Sequence, residues 1–140
     1  MDFVVLDTEG KPELSELALV DSQGRVIYEG FSCDHPKSSP NLPNLKSLKT
    51  LLEEFSDIVR GKKIVCHYAE HDIEVLEYSF QKAGLKFPNF EFDCTCIKAQ
   101  NSWLGLESHS LEYLSKYLNL RVNNRYFIQD MAHSARYDAE

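Results

Sequence analysis

Phe3-Val4-Val5-Leu6-Asp7-Thr8-Glu9-Gly10 decides how the rest of the chain is read. Residues 3–7 form a short apolar run of the kind that suits a strand buried in the middle of a sheet. The run ends on two acids separated by one residue. Side chains alternate along a strand, so Asp7 and Glu9 point to the same face. Carboxylates placed in this way repel each other unless a proton or a cation comes between them. Taken alone, Asp-x-Glu reads more readily as a solvated strand end. What the rest of the chain brings to that face decides its meaning.

Residues 14–21 and 25–32 are two further strand candidates, and Ser22-Gln23-Gly24 between them has turn composition, which predicts a hairpin. A polar, proline-bearing loop runs from Asp34 to Asn44. Leu45, Leu48, Leu52, Phe55 and Val59 then recur at helical spacing, with Asn44 expected to cap the helix and Gly61 to close it. Residues 63–66 read as a second short apolar strand, parallel to the first and beside it. Ile73, Leu76, Phe80 and Ala83 form another helical stripe ending at Gly84. Residues 90–93 give a fifth strand and residues 96–103 a short helix. Ser110 is placed to cap a helix carrying Leu111, Leu114 and Leu118, and a last helix begins near Ala135. Three strands joined by short turns, followed by alternating helices and strands, imply an α/β domain. Its expected core is a mixed five-stranded sheet, an antiparallel meander plus parallel strands, flanked by helices.

The 140 residues, 43% hydrophobic, match one domain spanning 1–140 with one core, and no repeat or linker divides them. No apolar run approaches the roughly 20 residues that cross a bilayer. The N-terminus has no basic segment before an apolar stretch, so no secretory signal is expected. Cys33, Cys66, Cys94 and Cys96 are accordingly expected to be reduced thiols in a cytoplasmic protein. Cys94-Thr95-Cys96 lacks the spacing of a structural zinc site. A net charge of −7 argues against a broad basic grip on nucleic acid. It leaves open a protein that meets phosphate through bound cations, for which clustered carboxylates are the natural ligands.

Three more residues extend the acidic pair. Asp72 follows the strand at 63–66 and falls in the first turn of the next helix. There a carboxylate is either a favourable helix N-terminal charge or part of a site at the C-terminal end of parallel strands. His133 and Asp138 lie five apart, about 500° of rotation on an ideal helix. Both can face one site only if His133 lies in the loop before the helix and Asp138 in its first turns.

Together, Asp7-Thr8-Glu9, Asp72 and His133-Ser134-Ala135-Arg136-Tyr137-Asp138 resemble the DEDDh exonucleases, the DnaQ-like group within the ribonuclease H-like fold. The resemblance covers nearly the whole chain. Val65-Cys66-His67-Tyr68-Ala69-Glu70-His71-Asp72-Ile73 looks like the family's second motif, commonly H-N-A-x-F-D. Phe92-Asp93-Cys94-Thr95 resembles its "D-T" strand end, and His109-Ser110-Leu111-Glu112-Tyr113-Leu114 its "S-L-x-x-L" helix. The tyrosine-type sister group carries a Tyr four residues before the final Asp, where this chain has Ser134. The histidine type is therefore the better match.

The resemblance implies a 3′→5′ exonuclease that hydrolyses phosphodiester bonds at single-stranded DNA or RNA ends and releases nucleoside 5′-monophosphates. Asp7, Glu9, Asp72 and Asp138 would hold two divalent cations, Mg²⁺ or Mn²⁺, and His133 would be the general base. Thr8, Gly10 and His71 would contact substrate, with His71 standing where the family commonly has an aromatic that stacks on a terminal base. The chain departs from the second motif at Tyr68 and His71, which replace Asn and that aromatic. Only two residues follow Asp138, so the last helix is expected to be cut short or completed by a partner segment. Two other readings compete: a binding module that keeps the fold without catalysis, and an endonuclease of the wider ribonuclease H-like group.

Overall fold

β1 (Phe3–Gly10), β2 (Leu14–Asp21) and β3 (Val26–Ser32) form the antiparallel meander anticipated from the alternating apolar pattern. The computed structural model describes residues 2–33, 44–122, 125–126 and 134–140. At the β2–β3 turn the Asp21 carboxylate accepts the backbone N–H groups of Gln23 and Arg25, at 2.9 and 3.0 Å. Gly24 takes the positive φ of 81° that this turn requires.

The next helix starts later than expected. β4 (Leu45–Lys46) pairs in parallel with Phe31 and Ser32, and only then does α1 (Leu48–Val59) begin. The cap is Ser47 rather than Asn44: its hydroxyl accepts the Thr50 N–H at 3.2 Å. Leu45 fits the helical spacing, but pairing with the edge of β3 satisfies its backbone instead. The sheet consequently has six strands rather than five, in the order β4-β3-β2-β1-β5-β6, with β5 (Lys63–Cys66) and β6 (Glu91–Cys94) parallel to β1. β1 is central, as its apolar run implies.

α2 (Ala69–Lys82) ends on Gly84, at φ 73°, where the Leu85 N–H returns to the Phe80 carbonyl at 2.9 Å. α3 (Thr95–Ser102) and α4 (Leu111–Tyr117) follow, the latter capped by Ser110 as expected. β7 (Arg121–Val122) and β8 (Arg125–Tyr126) form a separate two-stranded ribbon, and α5 (Ala135–Ala139) is the last element described.

The sheet separates two unequal layers. Val4 and Leu6 of β1, with Leu17 and Leu19 of β2, pack against Leu51, Leu52 and Phe55 of α1 and Val75, Leu76 and Phe80 of α2. On the opposite face, Val5, Ala18 and Val20 pack, among the described residues, with Ala135 and Ala139 of α5. The large core therefore grips β1 on the face opposite the one that carries Asp7 and Glu9.

Phe55 joins an edge-to-face aromatic cluster, 5.4 Å from Phe90, which in turn lies 5.5 Å from Phe87. Phe55→Ala is expected to lower the unfolding free energy by about 3–5 kcal/mol, read from urea titrations with an unchanged m-value. A loss below about 1 kcal/mol would show that this cluster does not anchor α1 to the sheet.

Candidate active site

Asp7, Glu9 and Asp138 each present a carboxylate oxygen, and these oxygens lie within 4.8 Å of one another. Strand alternation puts Asp7 and Glu9 on the face away from the large core. Ala18, the cross-strand neighbour of Asp7, is small enough to let α5 approach that face. α5 rests there on Ala135 and Ala139. Its first turn closes through the Asp138 N–H to the Ser134 carbonyl at 2.9 Å, which brings Asp138 over β1.

Asp72 occupies a different position. β5 pairs with β1 as far as Val5 opposite Val65, and beyond that point no described strand pairs with β1 on the β5 side. Buried donors need acceptors, and Asp72, at the start of α2, supplies one. Its Oδ1 accepts the Thr8 N–H at 3.1 Å and the Thr8 hydroxyl at 2.6 Å, and the Cys66 thiol adds a further bond. Asp72 is almost wholly buried and stands outside the group of three, yet near enough to raise the pKa of both Asp7 and Glu9.

The electrostatics follow from this crowding. Burial, and then the charges of Asp72, Asp138, Glu9 and Glu16, push the Asp7 carboxyl up to about 9. Burial followed by Asp138, Glu16 and Asp72 raises Glu9 to about 7. Burial raises Asp72 to about 6, against the hydrogen bonds from Thr8 and Cys66. Asp7 Oδ2 is buried with no hydrogen-bond partner among the described residues. An orphaned carboxylate oxygen beside two further acids suits a hard divalent cation, which prefers oxygen ligands and offsets the repulsion.

The remaining sequence candidates fall around this group. His133 lies outside the described residues. Thr8 is buried and turned toward Asp72. Gly10 follows a break in the β1–β2 register at φ 131°, where an added Cβ would sit 2.1 Å from the Glu13 carbonyl oxygen. Only glycine fits there. His71 is half-buried in the first turn of α2. Tyr68, just before that helix, is exposed and holds a left-handed backbone at φ 65° and ψ 60°, which is unfavourable for a bulky residue. His67 ties the end of β5 to the segments that follow, with Nε2 2.8 Å from the His109 carbonyl oxygen and Nδ1 3.0 Å from the Thr95 hydroxyl.

One residue was not anticipated. Glu16 of β2 lies directly across from Glu9, half-buried, and its charge adds to those that raise Asp7 and Glu9. An acid inside an otherwise apolar strand was the available signal. Only the strand register gives it meaning.

Comparison with known proteins places this geometry. The RNase_T family model, described as exonuclease, matches residues 34–140. The chain is 28% identical over 142 residues to DNA polymerase III subunit epsilon of Aquifex aeolicus (strain VF5), covering 86% of this chain and 70% of that protein. It is 26% identical over 119 residues to DNA polymerase III PolC-type of Streptococcus suis (strain 98HAH33), covering 85% of this chain. It is 27% identical over 159 residues to 3′-5′ exonuclease DinG of Bacillus subtilis (strain 168), covering 99% of this chain. It spans only 7% and 16% of the lengths of those last two proteins. In fold it is similar to exonuclease X in complex with 5′ overhanging duplex DNA, with a TM-score of 0.61 and 22% identity over 98% of this chain and 84% of that one.

The raised carboxyls make a pH prediction. The folded protein holds these protons more tightly than the unfolded chain, whose carboxyls titrate near 3.8 and 4.5. Their contribution to stability is complete below those values and is lost as pH rises through about 6, 7 and 9. The melting temperature of metal-free protein should therefore fall from about pH 5 to about pH 9, and the rise produced by added Mn²⁺ should grow over the same interval. Scanning calorimetry in EDTA and in Mn²⁺ checks this; a Mn²⁺ increment that shrinks with pH would contradict it.

Proposed function

The chain belongs to the DnaQ-like exonuclease family, whose model matches residues 34–140, and from that premise we propose that it removes nucleotides one at a time from the 3′ ends of DNA or RNA with two divalent cations, Mg²⁺ or Mn²⁺, releasing nucleoside 5′-monophosphates. The observation that carries this reading is the convergence of Asp7, Glu9 and Asp138 around a buried Asp7 oxygen that has no hydrogen-bond partner among the described residues. Acids otherwise unable to ionise together acquire a purpose when cations are bound.

In this reading Asp7, Glu9 and Asp138 hold the cations, with Asp72 supporting the arrangement from across the end of β1. The bound pair supplies charge that stabilises the attacking and leaving oxygens of an in-line displacement at phosphorus. His133 takes the proton of the attacking water, a task suited to an imidazole near neutrality. His71, in the first turn of α2, is the candidate contact for a terminal base, and Thr8 and Gly10 shape the strand end that receives the substrate. The acidic balance of the chain is compatible with a nucleic-acid partner because the phosphate is met by cations rather than by a basic surface. Among the described residues no helix is long and apolar enough to cross a membrane. The polarity is supported by the relative whose name states it, the 3′-5′ exonuclease DinG.

The test uses 5′-labelled single-stranded DNA and RNA with Mn²⁺, with and without EDTA. The expected result is a ladder of progressively shortened labelled products that disappears on chelation. Asp7→Ala should slow it by more than about 100-fold. Immediate release of labelled mononucleotide would reverse the polarity, and cleavage of a circular strand would indicate an endonuclease. Binding without cleavage would leave a non-catalytic module.

A further inference from the structure

We propose that Ser79 is a positioning residue for Glu9: by accepting the Leu14 N–H beside the Glu13–Lys82 ion pair, it gives α2 a second hold on the strand end that carries the acids. This rests on the reading of Asp7, Glu9 and Asp138 as the cation-holding group.

The β1–β2 ladder breaks directly after Glu9. Glu9 pairs with Glu16, but the next pair is Gly10 with Leu14, so Ser15 is left unmatched. A bulge of this kind bends its strand and re-aims the side chains beside it. The chain also folds back tightly here, with the Glu13 carbonyl oxygen standing where a side chain on Gly10 would begin. The ladder alone does not fix the direction of Glu9, and the backbone beyond it is held by other contacts.

α2 supplies them. The buried face of this helix is Ala69, Asp72, Val75, Leu76, Ser79 and Phe80. Its two acceptor side chains, Asp72 and Ser79, are seven residues apart. Seven steps of about 100° return to within about 20° of the same direction, about 10 Å further along the axis. Both accept a backbone N–H from the strand pair, Asp72 from Thr8 at 3.1 Å and Ser79 from Leu14 at 2.9 Å. Ser79 and Leu14 are fully buried. A hydroxyl in that position is costly unless bonded, and serine is an indifferent residue for a helix interior. The Leu14 amide accounts for its presence. Three residues on, Lys82 pairs with the Glu13 carboxylate. Glu13 is 5% exposed, although charged side chains at a turn ordinarily reach solvent. One rigid helix thus holds the acid-bearing hairpin at Thr8, just before Glu9, and again at Leu14, opposite Gly10. Glu13 stands outside the group of acids whose oxygens lie within 4.8 Å, and Ser79 bonds only the backbone of Leu14 among the contacts described. Their effect on a cation therefore passes through the position of the strand end.

Ser79→Ala, Lys82→Met and Lys82→Arg in the full chain test this, with Val59→Ala as the control for lost stability. Val59 is buried in the same core, at the end of α1. All variants are compared at a temperature where circular dichroism shows each of them folded. Ser79→Ala should weaken Mn²⁺ binding, read by calorimetry, about tenfold, the scale for residues that orient metal ligands. In metal-free protein it should quicken amide exchange of Thr8 and Glu9, measured by NMR, about fivefold. In the cleavage assay kcat should fall while KM for the oligonucleotide holds. Lys82→Met should act in the same direction, and Lys82→Arg, which keeps the cation, should bind Mn²⁺ within about twofold of wild type. Mn²⁺ affinity and exchange unchanged in Ser79→Ala would overturn the proposal. So would an equal loss of affinity in Val59→Ala, which would make the effect a general loosening of the core. If wild type binds no Mn²⁺, the cation reading falls, and the exchange of Thr8 and Glu9 still decides whether Ser79 holds the strand end.

Discussion

Mutual repulsion among carboxylates at the end of β1 is the constraint around which the structure is arranged. Three acids within 4.8 Å, with a fourth buried nearby, cannot all be charged without help. Burial first, and then the neighbouring acids, raise the Asp7 carboxyl to about 9. Such a cluster persists only if its backbone is held by interactions that do not depend on it. β1 meets that condition. It pairs on both sides, with β2 and β5, and Val4 and Leu6 lock one face into the main core.

The division of labour along β1 follows from its pleat. Even-numbered residues face the large helical layer, where Val4 and Leu6 contribute apolar burial and Thr8 ends the row with a hydroxyl. Odd-numbered residues face α5, where Val5 gives way to Asp7 and Glu9. Thr8 is the junction between the two sides. Its N–H and hydroxyl both go to Asp72, so the residue between the two acids is clamped from the opposite layer. Asp72 thereby does two things: it completes the hydrogen bonding of a strand that has outrun its neighbour, and it adds negative potential beneath Asp7. The helix-terminal and site readings of Asp72 are not alternatives.

Much of this was legible before any fold was available, and the remainder was hidden for definite reasons. The central strand, the meander, the stops at Gly61 and Gly84 and the cap at Ser110 are local signals, and each matches the structure. Leu45 shows where local signals fail. Its spacing to Leu48 and Leu52 suits a helix, but parallel pairing with Phe31 claims it for the sheet, and the cap moves to Ser47. Asp7, Glu9 and Asp138 were singled out by the resemblance of their motifs to a family pattern, since Asp-x-Glu alone reads as a strand end. The bond between Thr8 and Asp72 could not, because it depends on where β5 stops pairing. Glu16 was invisible for a similar reason. A strand acid looks like an exposed edge until the register sets it beside Glu9.

The two faces of the sheet also differ in the side chains that cover them among the described residues. Asp7, Glu9 and Asp72 sit on elements packed into the aromatic and aliphatic core, whereas Asp138 sits on α5, whose Ala135 and Ala139 pack against Ala18 and Val20. Larger side chains at Ala18 or Ala135 would bury more apolar surface. They would also lift α5 from the sheet and carry Asp138 away from Asp7. Close approach of the helix and strong apolar anchorage are thus in conflict at this face. Small residues resolve it in favour of approach, and polar contacts must then supply what hydrophobic burial gives up. A cation held between Asp138 and the acids of β1 would accordingly strengthen the seat of the helix as much as the helix serves the cation.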